Sequence, residues 1–248
     1  MSNIAKLTET LTFLDISYCK QVTDAGIEHF KDKVYSLDSL IINGVNGISG
    51  PGLKQWLLSF KDSLLDLEAA LNDQDIFSSA FMETLGFCFN LETLDLVGSK
   101  GIDDDGARKM AAAVVTVGNE TVQPGLQFCH TLKLSGSTIS DASLPQIIKI
   151  MPNLEHVELA RCEGVGEYGI KEMLTKCVKL TYVDINKIPI VNYGFLDELK
   201  QSHPDLLIRR NLHQDDDFKK DNGLRVPRRI AGLKKKGKKK KKGKKGKK

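Results

Sequence analysis

The sequence predicts an α/β solenoid, with a parallel sheet on one face and helices on the other, built from about seven strand–helix units. Three observations predict it. The pattern L-x-x-L-x-L returns with first positions at Leu11, Leu37, Leu64, Leu91, Cys129, Leu154 and Leu180, at gaps of 26, 27, 27, 38, 25 and 26 residues. Three apolar anchors within six residues fit a short strand that buries alternate side chains. Turn residues and then apolar positions at helical spacing follow each strand, so each unit is one strand and one helix that must stack on its neighbours to bury its apolar face.

A period of this size is the signature of leucine-rich repeats, which stack into a horseshoe with a parallel concave sheet and convex helices. In unit one Leu11, Leu14 and Ile16 point inward, Cys19 follows, and Val22, Gly26, Ile27 and Phe30 continue the register. Unit two repeats it with Leu37, Leu40, Ile42, Val45, Ile48, Gly52 and Leu53. Unit four gives Leu91, Leu94, Leu96, Ser99, Ile102, Gly106 and Ala107, and unit six gives Leu154, Val157, Leu159, Cys162, Val165, Gly169 and Ile170. Unit three keeps Leu64, Leu67, Ala69 and Asn72 and then departs. Where the chain leaves the strand, Cys19, Asn72, Ser99, Ser137 and Cys162 turn inward, and small polar or thiol groups there can bond the backbone of the neighbouring turn. Thr23-Asp24, Ser49, Asp103 and Ser140-Asp141 offer N-cap oxygens to the helices that follow.

The unit that starts at Leu91 is longer than the others, and its excess lies in Met110 to Gln127. The run Met110 to Val115 extends a helix, and Gly118-Asn119 with Pro124-Gly125 makes a loop that is either a partner contact or a tolerated insertion. End units need caps. Residues 1–10 form a short N-terminal cap, either a helix around Ile4 and Leu7 or too little to cover the first strand, whose edge is then a docking surface. Residues 11–210 form the solenoid, closed by a helix from Tyr193 to Lys200 and a last short strand at Leu206-Leu207-Ile208, and residues 211–248 form a basic tail.

Charge divides the same way. Residues 219–248 hold 17 Lys or Arg and one Asp, a net +16, whereas residues 1–218 hold 19 basic and 31 acidic side chains, a net −12. Such asymmetry points to an interaction tail. No window approaches 18 apolar residues and the first 15 residues lack an apolar core, so neither membrane insertion nor secretion is expected. Five cysteines, an odd number placed in the repeat register, point to a reducing intracellular compartment.

Chemistry-bearing patterns are few. Gly164-Val165-Gly166-Glu167-Tyr168-Gly169 is a literal G-x-G-x-x-G between a strand and a helix, with Asp184 further on. Gly169, however, falls on the place held by Gly26, Gly52 and Gly106, so the repeat explains it and a dinucleotide site is not expected. No cysteines form C-x-x-C, and Cys88 and Cys177 precede repeat leucines by three residues, where packing accounts for them. No Ser, His and Asp set shares a face. The reading is therefore a non-enzymatic protein with no cofactor, no metal and no small-molecule substrate.

The mid-strand positions of the concave face read Asp15, Ile41, Glu68, Asp95, Lys133, Glu158 and Asp184, with Phe13, Tyr18 and Tyr182 near the ends and Asp38, Asp66, Glu92 and Glu155 alongside. This acidity serves either solubility or a basic partner lying along the face. Phe13, Asp15, Tyr18, Ile41, Glu68, Asp95, Glu158, Tyr182 and Asp184 are the candidate partner-binding residues. In the tail, Arg225, Arg228 and Arg229 flank Pro227, and from Lys234, Lys235, Lys236, Lys238, Lys239 and Lys240 onward residues 234–248 hold 12 lysines and three glycines. This composition cannot bury apolar area and attracts polyanions without reading sequence. Nucleic acid, anionic lipid and the acidic tails of tubulin all satisfy it.

Cys19 to Ile27, Cys88-Phe89-Asn90-Leu91 and Cys177-Val178-Lys179-Leu180 resemble the cysteine-containing leucine-rich repeats of F-box/LRR proteins, over roughly residues 7 to 190. That resemblance implies a solenoid that recognises another protein for a cullin ubiquitin ligase, but ten residues before the first repeat do not hold an F-box. An F-box-free solenoid with a lysine-rich tail looks like a leucine-rich-repeat subunit of the nexin-dynein regulatory complex of motile cilia. The resemblance implies coiled-coil axonemal partners, with acidic tubulin tails for the basic tail, in the cytoplasm, cytoskeleton and cilium axoneme. The alternatives are a ligase adaptor whose F-box is supplied elsewhere, or a nuclear or RNA-associated protein held by its tail.

Overall fold

The computed structural model describes residues 10–210 apart from 32, 35, 73–76, 78, 100, 114, 118–119, 123–124 and 190–192. The readings for residues 1–9 and for the tail at 211–248 lie outside the described residues. Every unit begins with a three-residue strand, β1 (Phe13–Asp15), β2 (Ser39–Ile41), β3 (Asp66–Glu68) and β4 (Thr93–Asp95) in the first four. A hairpin of β5 (Val115–Val117) and β6 (Glu120–Val122) interrupts, and β7 (Thr131–Lys133), β8 (His156–Glu158), β9 (Tyr182–Asp184) and β10 (Leu207–Arg209) complete the series. The helices between them are α1 (Asp24–Lys31), α2 (Gly50–Phe60), α3 (Ser79–Leu85), α4 (Asp104–Ala112), α5 (Leu144–Ile150), α6 (Glu167–Lys176) and α7 (Tyr193–Ser202).

All strands but the hairpin pair in parallel in the order β1-β2-β3-β4-β7-β8-β9-β10, one sheet of eight. The chain is thus an α/β leucine-rich-repeat solenoid. The sheet has one strand more than the leucine pattern shows, because in the last unit Asp205 and Arg210 stand where the first and third anchors would be and only Ile208 remains.

The middle residue of each strand from Leu14 through Leu40, Leu67, Leu94, Leu132 and Val157 to Val183 is buried against the helix layer. Helix α2 shows what the helices contribute. Ser49 caps it by accepting the Gly52 N–H at 3.1 Å, and Leu53, Trp56, Leu57 and Phe60 recur at three- and four-residue spacing and are buried. Phe30, Trp56 and Phe60 meet edge to face, with centroids 6.2 and 5.7 Å apart.

Polar groups stitch unit to unit. Asn72 accepts the Val45 N–H at 2.7 Å and donates to the carbonyls of Ile42 and Ala69, and Ser99 donates back to Ala69 at 2.8 Å. Cys162 reaches the Leu134 carbonyl and the Ser137 hydroxyl. Apart from the Asn72 bond to Ala69 within its own turn, these bonds run to the preceding unit. Cys19 is therefore the exception: it is exposed, not turned inward, since no earlier unit among the described residues stands where its bond would go.

A second ladder runs between helix starts. The Asp24 carboxylate accepts the Ser49 N–H at 2.8 Å and Asp141 the Gly166 N–H at 2.8 Å. Asp104 accepts three bonds from the next unit, from the Ser140 N–H at 2.8 Å and the hydroxyls of Ser140 and Ser143 at 2.6 and 2.5 Å. Burial pushes the Asp104 carboxyl up, but the two serine hydroxyls together hold it below the usual carboxylate range. Asp103 and Ser49 cap their helices as expected. Asp24 and Asp141 are corrected from caps to inter-unit acceptors, and α5 starts later, after Ser143.

The excess of unit four is also corrected. Helix α4 ends at Ala112, short of Val115, and the rest is an antiparallel hairpin in which Val115 faces Val122 and Val117 faces Glu120. Val115-Thr116-Val117 is β-branched throughout, so strand preference overrides the alanine run before it.

Candidate functional site

On the helix-free face of the sheet, the first and third residues of every strand form two rows in register. The third-position row runs Asp15, Ile41, Glu68, Asp95, Lys133, Glu158, Asp184 and Arg209. The first-position row runs Phe13, Ser39, Asp66, Thr93, Thr131, His156, Tyr182 and Leu207. Every sheet residue expected on this face is on it, but the two ends of the rows differ in character.

From β4 onward each acidic residue of the third-position row has a basic side chain as partner. Lys133 Nζ lies 2.9 Å from Asp95 Oδ2. Burial lowers the Lys133 ammonium, but Asp95, with Glu158 and Glu68 beyond it, raises it on balance. His156 Nε2 lies 2.9 Å from Glu158 Oε1, and this bond holds the Glu158 carboxyl below its usual range against the cost of burial. His156 also stacks on Tyr182 with centroids 4.2 Å apart and rings 8° from parallel.

Asp184 is a correction. It is 4 % exposed, not presented to solvent, because its neighbour Arg209 lies against it at 3.3 Å while its other oxygen accepts the Asn186 N–H at 2.9 Å. Burial raises its carboxyl above the usual range, with Arg209 opposing. Asp15 and Asp95 hold the same local turn, accepting the N–H two residues on at 2.9 and 3.1 Å. Three of the five acidic residues in the row therefore have a backbone task.

Over β1–β3 the picture reverses. Asp15, Asp66 and Glu68 make no ion pair among the described residues. Phe13 is 55 % exposed and Ile41 is half-buried beside them. Sequence reasoning missed His156 and Arg209. The period-two alternation that places His156 beside Glu158 on one face was a usable signal; Arg209 sits in the unit without leucine anchors and carried none.

At the strand exits every unit turns through a left-handed residue. These are Tyr18, Gly44, Leu71, Gly98, Gly136, Arg161 and Lys187, at φ of 58, 63, 58, 67, 82, 62 and 61°. From Tyr18 to Arg161 each donates its N–H to a carbonyl of the next unit, at 2.7–2.9 Å. For a residue with a Cβ this conformation costs about 1–2 kcal/mol, yet four units carry one. The candidate residue Tyr18, 61 % exposed, belongs to this row and not to the sheet face.

The remaining chemical candidates are structural. A side chain on Gly164 would meet Ile139 and Ser140, and one on Gly169 would overlap the Asp141 carboxylate, so the G-x-G-x-x-G glycines make room for the preceding unit. Burial pushes the thiols of Cys88 and Cys129 up to about 12 and that of Cys177 up to about 11, far from the reactive thiolate range. Among the described residues no group of three or more His, Cys, Asp or Glu is placed to hold a metal ion, and no helix is long and apolar enough to cross a membrane.

A leucine-rich-repeat family model matches residues 9–30 and 87–111, the β1–α1 and β4–α4 units. Repeats of this kind are in general non-enzymatic and bind other proteins. Among solved structures, the chain is similar to one from the crystal structure of the Rad7 and Elc1 complex in yeast, at 16 % identity and a TM-score of 0.36, over 79 % of this chain and 68 % of that one.

Proposed function

We propose that the protein is a non-enzymatic interaction scaffold that takes a basic segment of a partner on the β1–β3 part of its sheet face, as a structural or regulatory subunit of the axonemal linker between doublet microtubules. The observation that carries this reading is the division of the face: the carboxylates of Asp15, Asp66 and Glu68 make no ion pair among the described residues and share the face with exposed Phe13, while those of the other end are paired from within. A face with unspent negative charge next to an aromatic ring suits Lys or Arg side chains, whose stems pack on the ring while their heads meet the acids. The resemblance of the Cys19–Ile27 segment to cysteine-containing repeats and the lysine-rich tail support the axonemal placement, with coiled-coil subunits and acidic tubulin tails as partners.

The test is the location of the tagged full-length protein in a ciliated cell, followed by detergent and salt extraction of the cilia. The reading expects retention on axonemes through high salt, and expects the double variant D15K/E68K to be extracted while remaining folded. Absence from axonemes ends the axonemal reading and directs the search to a ubiquitin-ligase adaptor or a nuclear, RNA-bound protein.

A further inference from the structure

We propose a second contact surface, the row of strand-exit turns, which takes an extended peptide that is apolar at one end and acidic at the other. Three of the seven turns use glycine, the residue for which the left-handed conformation is free of strain, and the other four use Tyr18, Leu71, Arg161 and Lys187. All four are exposed, so burial does not repay the strain. Strained backbone that persists without a packing reason concentrates at functional sites.

The four side chains are sorted along the row. Tyr18 and Leu71, 61 % and 54 % exposed, lie over the glycines of the following units: a Cβ on Gly44 would come within 2.7 Å of the Tyr18 ring, and one on Gly98 within 2.7 Å of Leu71. Beyond Leu71, which covers Gly98, the turn at Gly136 lies beside Gly98 and is bare, so a second backbone can approach there. Then come Arg161 and Lys187, neither of which makes an ion pair among the described residues. Two apolar anchors, an open glycine turn at Gly136 and these two cations fit a peptide with two apolar residues, a short spacer and two carboxylates. A lysine-bearing segment fits the sheet face and meets repulsion here.

Strand spacing sets the register. At about 4.8 Å per strand, Tyr18 and Leu71 are about 10 Å apart, Leu71 and Arg161 about 14 Å, and Arg161 and Lys187 about 5 Å. At about 3.3 Å per extended residue this corresponds to contact positions roughly one, four, eight and ten of a decapeptide. The surface is distinct from the sheet face, and its test does not depend on where in the cell the protein resides, resting only on the chain being a protein-binding scaffold.

The probe is a fluorescent decapeptide with leucine at the first and fourth positions, glutamate at the eighth and tenth, and serine or glycine elsewhere, with the same sequence reversed because an extended chain can lie either way. Binding to the full-length protein is compared with that of a scrambled peptide of equal composition, so that attraction to the lysine-rich tail cancels. The expected result is a preference of at least fivefold for one patterned peptide over the scrambled one. The preference is abolished in Y18G/L71G and in R161E/K187E and kept in D15K/E68K. The Tm of Y18G/L71G stays within about 3 °C of wild type or rises, because glycine relieves the strain. No preference, or one that survives both turn variants, overturns the proposal. A fall in the Tm of Y18G/L71G well beyond that range overturns it too, since the side chains would then serve the fold.

Discussion

The sheet face from β4 to β10 and the face over β1–β3 have the same backbone, the same two rows and three acidic residues each, and they differ in whether those acids are answered. Asp95 meets Lys133, Glu158 meets His156 and Asp184 meets Arg209, whereas Asp15, Asp66 and Glu68 make no ion pair among the described residues. In a solenoid each unit is stabilised by its neighbours. Cross-strand pairing at one end therefore adds to the unit interfaces, while unpaired charge at the other adds none and leaves side chains available. One end reads as structure and the other as surface, and the following substitutions separate the two.

The largest effect is expected within the paired end, at the junction of the β4 and β7 units. Asp104 accepts three bonds from Ser140 and Ser143, across the junction where the hairpin of β5 and β6 is inserted. Asp104→Ala removes the two carboxylate oxygens that accept all three bonds and leaves the buried Ser143 hydroxyl only the longer bond to the Ser140 carbonyl, at a cost of about 2–3 kcal/mol in denaturant unfolding. Because the loss falls on one unit interface, the single transition is expected to broaden or split. Since the folded carboxyl sits below its unfolded value of 3.8, its contribution is complete above that pH and is lost as pH falls through the lower folded value. A cost under 1 kcal/mol with an unchanged transition would show that the sheet and core alone couple the β4 and β7 units.

Next is Arg209→Ala, which leaves the Asp184 carboxylate buried without its cation. The expected cost is about 1.5–2 kcal/mol, toward the low end for a charged bond because Arg209 is itself half exposed. Asp184→Asn in the same chain should recover most of it, as the amide oxygen still accepts the Asn186 N–H and no buried charge remains. If the double variant is as unstable as the single, Arg209 acts through packing and not through Asp184.

His156→Ala comes third, at about 1 kcal/mol for the lost stack on Tyr182 and the bond to Glu158. It has a second readout. The Glu158 carboxyl, held below 4.5 chiefly by His156, should titrate higher in the variant by NMR. Its stabilising contribution in the wild type, present above pH 4.5 and lost as pH falls through the depressed value, should shrink. An unmoved Glu158 would mean that Lys133 is its effective partner.

Sequence legibility follows the same division. Periodicity revealed the strands, the helices and the mid-strand row of the face, with only Phe13, Asp66 and Tyr182 of the other row, because a fixed repeat converts position into geometry for any residue in register. Contacts between units at non-repeat positions were invisible to it. Arg209 belongs to a unit whose anchor places hold Asp205 and Arg210, so neither the eighth strand's register nor the burial of Asp184 could be read. The turn row was hidden for the opposite reason: glycine signals a left-handed turn, and Tyr18, Leu71, Arg161 and Lys187 stand where glycine would have announced it. Hairpin residues Val115 to Val122 lost out to the alanines before them, a local competition between helix and strand preference that no repeat resolves.

The smallest effect is expected over β1–β3, and it bears most directly on the proposed function. Phe13→Ser, Asp15→Asn and Glu68→Gln should each lie within about 0.5 kcal/mol of wild type, as surface substitutions away from caps, cores and paired charges do. Asparagine keeps the oxygen that accepts the Ser17 N–H, so Asp15→Asn removes charge without touching the turn. Glu68 is the sharper probe, because it lies next to Asp95 in the row and contributes to the field at Lys133. Its neutralisation should lower the Lys133 ammonium slightly toward the ordinary 10.5 while leaving the Tm in place. Stability from Lys133 is present below that value and is lost as pH rises through the folded one, so the small loss in Glu68→Gln is present at neutral pH and disappears in alkaline unfolding curves. A neutral-pH penalty above 1 kcal/mol would place Glu68 in the structural network. The boundary between the two ends would then shift from between β3 and β4 to between β2 and β3, leaving Phe13, Asp15 and Ile41 as the available face.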